Sequence, residues 1–83
     1  RERLASPGAM AAAARRRAQL TSREAELFAC VVEGLMNKEI AERLALSIVT
    51  VKAHRGAMMR KMGARSVADL VRTAALLGDD AMR

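Results

Sequence analysis

Lys52, Arg55, Arg60 and Lys61 all fall within the stretch SIVTVKAHRGAMMRKM, which spans residues 47–62, and no carboxylate stands among them. Adding Arg65 makes five basic groups and no acid over residues 47–65. Side chains of one sign at that density cannot neutralise one another, so they are suited to meeting a polyanion. The chemistry on offer is phosphate binding by charge-assisted hydrogen bonds, with base-edge contacts wherever a donor reaches into a groove. Other chemistries lack partners. One His and one Cys give neither a metal-ligand set nor a nucleophile with its base. Glycine-rich phosphate loops are absent, and Phe28, the one aromatic residue, makes no stacking platform for single strands or RNA. The expectation is a binding module, not an enzyme, with no cofactor and no metal.

The elements that position these side chains must come from a short chain. Eighty-three residues make one small domain, for which locally packed helices are easier to stabilise than a large sheet. Ala, Leu, Met, Arg, Lys and Glu dominate, and β-branched residues are few, so the fold class expected is all-α. Net charge is +6, and its placement is uneven. Residues 1–20 carry five Arg against one Glu, residues 21–46 carry an acidic excess, and the basic run at 47–65 follows. That asymmetry favours nucleic acid over a membrane surface. Cys30, alone among apolar neighbours, reads as a buried reduced thiol. No apolar run approaches the ~20 residues of a membrane span, and AMAAAA lacks the form of a signal peptide. Beginning at Arg1 without an initiator Met, the chain reads as a piece of a longer protein, expected in a reducing cytosol.

Residues 1–19 read as a linker, with 1–8 disordered around a Pro7-Gly8 breaker and 9–19 a fraying helix without an apolar stripe to pack. Its three adjacent arginines, Arg15 to Arg17, read as solvated. The ordered domain is placed at 20–83. Thr21-Ser22-Arg23-Glu24 has the form of a capping box, with Leu20 and Ala25 as a weak staple. Leu27, Phe28, Val31 and Leu35 then recur at helical spacing, and Gly34 marks the stop. A second, short helix starts near Asn37, with Ile40, Ala41 and Leu44 on one face. Ala45-Leu46 is a tight connection, Ser47 caps the third helix and Gly63 ends it. Ser66 opens a fourth, with Val67, Leu70, Val71, Ala74 and Leu77 as its stripe and Gly78 after it. The second and third helices match a helix-turn-helix, whose second member enters the major groove.

At about 100° per residue, Val51, Met58 and Met62 lie within roughly 40° of each other, with His54 beside them. That stripe is the expected core contact, and Ile40, Leu44, Val51 and Met58 are expected in the core. The methionines read as core filler, and His54 as a half-buried packing residue able to hydrogen-bond a phosphate. The opposite face holds Val49, Lys52, Ala53, Gly56 and Arg60, which are small apart from the two basic side chains. Such a face can lie close to base edges, while Thr50, Arg55 and Lys61 reach sideways to phosphates and Arg60 is expected to meet the DNA backbone with them. On the fourth helix, Ala68, Arg72, Ala75 and Leu76 lie away from the stripe. Small residues there allow two such helices to approach closely, giving a weak homodimer assembled on DNA over two half-sites about one turn apart.

Four motifs in order, L-T-x-R-E, G-L-x-N-K-E-I-A, T-V-K-x-H and K-M-x-A-R-S, resemble the LuxR/FixJ-type helix-turn-helix domain of bacterial transcription regulators, and the FixJ-like branch of response regulators in particular. The resemblance runs from about Leu20 to Leu77. It implies a four-helix fold, here preceded by the linker helix, in which the third helix reads the major groove and the fourth often mediates dimerisation. It also implies base contacts at Lys52, Ala53 and Gly56, and backbone contacts at Lys38, Thr50 and Arg55. The chain departs from the family pattern in four places. Met36 stands where Ser or Thr is usual, so Asn37 is expected to cap the second helix. Ala45 replaces a usual Gly in the turn, which asks for ordinary backbone angles or some strain. Ile48 and Val49 occupy commonly polar positions, where they either contact a thymine methyl or leave the DNA face stickier and weaker.

The function expected is sequence-specific binding of double-stranded DNA as the output domain of a transcription regulator of the two-component response-regulator type. A second reading, compatible with the first, is a protein-interaction module docking on RNA polymerase or another acidic partner. Membrane-surface binding through the Ala/Arg arm ranks below both, because the arm lacks the large apolar residues that insert at an interface.

Overall fold

The computed structural model describes residues 7–78, and these form five α-helices: α1 (Pro7–Ala18), α2 (Ser22–Glu33), α3 (Asn37–Leu44), α4 (Ile48–Met62) and α5 (Val67–Leu76). Local chemistry explains the boundaries. Thr21 opens α2 with a reciprocal capping box: its Oγ1 accepts from the Glu24 N–H at 3.1 Å, and Glu24 Oε1 accepts from the Thr21 N–H at 2.9 Å. Ser47 Oγ accepts from the Thr50 N–H at 3.1 Å to start α4, and Ser66 Oγ accepts from the Asp69 N–H at 3.1 Å to start α5. Gly63 ends α4 in the left-handed region, at φ 67°.

The α3 boundaries differ from expectation in two ways. Met36, not Asn37, occupies the N-cap position. Its thioether supplies no cap, and only the return half of a capping box forms, with Glu39 Oε1 accepting from the Met36 N–H at 2.7 Å. Asn37 is instead the first helical residue, and its Oδ1 accepts from Arg55 Nη1 at 2.9 Å. At the other end Ala45 adopts φ 56°, ψ 47°, so of the two possibilities the strained one is realised. The left-handed angles let the Leu46 N–H turn back to the Ala41 carbonyl at 2.9 Å, which closes the turn and sets α4 across α3. A Cβ in that conformation costs about 1–2 kcal/mol.

The core lies where α2, α3 and α5 meet α4. Leu27, Phe28, Val31, Ile40, Val51, Met58, Met62 and Leu70 are fully buried. Leu44 and Leu77 are only half-buried at its margin, and Val67, expected in the α5 stripe, is 41% exposed at the helix start.

The linker helix is seated where a fraying helix was expected. Pro7 sits at the first helical position, where its missing N–H costs nothing, so Pro7-Gly8 begins α1 instead of breaking it. Ala13 is 5% exposed, and α1 packs against α4 and α5. Ala13 is the one buried residue of α1, and no stripe of large apolar residues announces its seat. Arg17 lies over Phe28, with its guanidinium carbon 5.3 Å from the ring centroid, and Arg16 covers Gly63. The disorder expected for residues 1–6 lies outside the described residues.

Candidate nucleic-acid interface

The acid-free segment folds as α4, and its two faces separate as the periodicity predicts. Val51, Met58 and Met62 are buried. On the far side Val49 is 76% exposed, and Lys52, Ala53 and Arg60 are also exposed. Gly56, which shares that face, is half-covered, because the Arg60 guanidinium folds back over it. Ile48 is exposed beside Val49 at the start of the helix. Val49, Lys52, Ala53, Gly56 and Arg60 thus form one convex strip with no carboxylate on the helix that carries it.

The flanking residues are less free. Thr50 is half-buried, and its Oγ1 accepts from Ser47 Oγ at 2.9 Å. At about 100° per residue Arg55 falls only about 40° from Val51, on the rim of the core stripe. It is correspondingly half-buried, with Nη1 donating to Asn37. This bond ties the two helices of the helix-turn-helix together across eighteen residues of sequence. Lys61 is turned away from the strip: its Nζ donates to Glu24 Oε1 at 2.7 Å, pinning α4 to the start of α2. Glu24 is 5% exposed and serves both the capping box and this ion pair. The Lys61 hydrogen bond, with that from the Thr21 backbone, holds its carboxyl below the usual glutamate range. His54 is half-buried and Lys38 exposed on α3. Asn37 and Glu24 were missed as site-shaping residues. Their partners lie 18 and 37 residues away, and no local pattern signals such pairs.

On α5, Ala68, Arg72 and Ala75 are exposed and Leu76 is half-buried, with Arg72 paired to Asp69. On the buried side of α2, burial pushes the Cys30 thiol up from its ordinary value. Among the described residues there is no cluster of metal-ligating side chains, and no helix is long and apolar enough to cross a membrane.

Comparison with known proteins agrees with this geometry. The chain is 56% identical over 70 residues to the C4-dicarboxylate transport transcriptional regulatory protein DctR of Rhodobacter capsulatus, covering 84% of this chain and 36% of that protein. It is 45% identical over 64 residues to the transcriptional regulatory protein FixJ of Azorhizobium caulinodans, covering 77% of this chain and 30% of that one. Among solved structures, full-length FixJ from B. japonicum superposes with a TM-score of 0.75 at 36% identity, over 86% of this chain and 36% of that one. The response regulator StyR superposes with a TM-score of 0.73 at 40% identity, over 76% of this chain and 32% of that one. The chain therefore spans about a third of the length of these relatives. The sequence pattern of the bacterial regulatory proteins of the luxR family matches residues 18–74. This chain belongs to the LuxR family, and those residues are its helix-turn-helix DNA-binding domain.

Proposed function

We propose that the chain is the output domain of a two-component response regulator and controls transcription by binding a specific duplex sequence. The single observation that carries this reading is the exposed, acid-free strip of α4 opposite its buried stripe, in a domain of the LuxR family. Val49, Lys52, Ala53 and Gly56 face base edges in the major groove, Val49 offering an apolar contact to a thymine methyl. Lys38, Thr50 and His54 lie along the flanks to meet phosphates. Arg55 keeps donors for a phosphate while Asn37 holds one of its nitrogens. Lys61 is left out of the contact set because Glu24 occupies it. Two copies pair through Ala68, Arg72, Ala75 and Leu76 when bound to adjacent half-sites. The response-regulator assignment is supported by relatives such as the tetrathionate response regulatory protein TtrR of Salmonella typhimurium, 48% identical over 54 residues.

Selection of bound duplexes from a random library tests the reading. The expected outcome is an enriched sequence with two half-sites about one helical turn apart. Lys52→Ala should then lose about 1–3 kcal/mol on the enriched duplex and less on random DNA. Equal losses on both would make α4 a generic basic face.

A further inference from the structure

Gly56 lies in the interior of α4, on the face that the functional reading turns toward DNA. Glycine is a poor choice inside a helix, and no core side chain crowds a Cβ at this half-covered position. What occupies the space is Arg60. Its Nη1 lies 3.5 Å from the point where a Cβ on residue 56 would sit. Side chains on a helix lean toward its N-terminus, so Arg60 runs back along α4 by one turn, about 6 Å, and lays its guanidinium over the bare backbone. It comes to rest in the middle of the strip, in line with Lys52 and Ala53. Phosphates flank a groove-bound helix, whereas base edges lie beneath its centre. No carboxylate partner is assigned to this guanidinium among the described residues.

We propose that Arg60 is a base-reading residue, delivered to a guanine by the seat that Gly56 leaves open. The inference rests on the reading of α4 as the groove-facing helix and reassigns Arg60 from the DNA backbone to a base edge. The planar fork of the guanidinium matches the O6 and N7 acceptors of guanine, which a point-charge ammonium does not match as well. A methyl group on residue 56 makes an ordinary contact with Arg60 and leaves it in place. A longer side chain needs the volume that the guanidinium fills.

The test is duplex selection with the full chain and its variants, followed by titration on the enriched half-site and on copies changed one base pair at a time. Thermal melting by circular dichroism serves as the control for folding. The unsubstituted chain should show a preference for G·C at one position, and Arg60→Ala should reduce it about 5- to 150-fold. Gly56→Leu should reduce the preference at the same base pair, with no further loss in the double variant. Arg60→Lys should lose most of the preference at that base pair and much less affinity on random DNA. If Arg60→Ala weakens every sequence alike with its preferences intact, Arg60 meets phosphate and the proposal fails. If Gly56→Leu retains the preference, the seat is wrong, and the Arg60→Lys result decides the reader without touching position 56. Failure of the underlying DNA reading is distinguishable: the unsubstituted chain would then enrich no sequence at all.

Discussion

Lys61 shows how a charge can be counted correctly and still be spent inside the fold, and Arg55 how one can be partly tied down. Both belong to the basic run, yet one nitrogen of Arg55 is held by Asn37, and Lys61 is paired with the nearly buried Glu24. Because the Glu24 carboxyl is held below its ordinary value, its stabilising contribution is present above the unfolded glutamate value. It is lost as pH falls through the lower, folded value. Acid titration of the unsubstituted chain should therefore show stability falling below about pH 4.5, and Glu24→Gln should flatten that limb while lowering stability at neutral pH. Urea denaturation across pH 3–7 measures both effects. Lys61→Ala should lower the melting temperature yet leave the slope of log K against log salt on DNA nearly unchanged. Lys38→Ala, at an exposed flank position, should do the reverse and shrink that slope by about one unit. The exposed side of α4 was legible in the sequence because helical periodicity alone decides it. The commitments of Arg55 and Lys61 were not, because they depend on which residue of another helix lies opposite.

At the scale of elements, the helices of the DNA-binding domain could be read from their punctuation. Thr21, Ser47 and Ser66 cap as their types require, and Gly34 and Gly63 stop their helices. The misses have equally specific causes. Asn37 looks like a cap by residue type, but Glu39 captures the Met36 N–H one residue earlier, so the helix starts without an Asn37 side-chain cap. α1 reads as a fraying helix in the sequence because its one buried residue is Ala13, and small residues leave no periodic signal. Ala45 was flagged correctly as a choice between ordinary angles and strain, but only the structure selects strain. Ala45→Gly should relieve it, raising stability by about 1 kcal/mol and the melting temperature by about 4–8 °C. An unchanged or lower midpoint would mean that the turn carries no recoverable strain.

For the whole molecule, the proposed pairing of two copies on DNA falls to the outer side of α5. The outer side of α5 carries Ala68, Ala75 and half-buried Leu76, and Arg72 is occupied by Asp69. That leaves the small residues and Leu76 as the apolar part of any self-contact. Leu76→Glu should weaken binding to a duplex with two half-sites by about tenfold or more, while binding to a single half-site and the melting temperature stay near those of the unsubstituted chain. Equal binding of both proteins to the double site would place the pairing surface elsewhere. The docking of α1 has a mechanical consequence for anything joined to the chain ahead of Pro7. A slack twelve-residue tether has a root-mean-square span of about 19 Å, and twelve residues of helix measure about 18 Å. Reach is thus nearly the same in the two cases, but bearing is not. A tether points everywhere, whereas α1, gripped at Ala13, Arg16 and Arg17, holds Pro7 at one fixed heading relative to α4. Torque applied to α1 is thus delivered to α4 instead of dissipating in a loose joint.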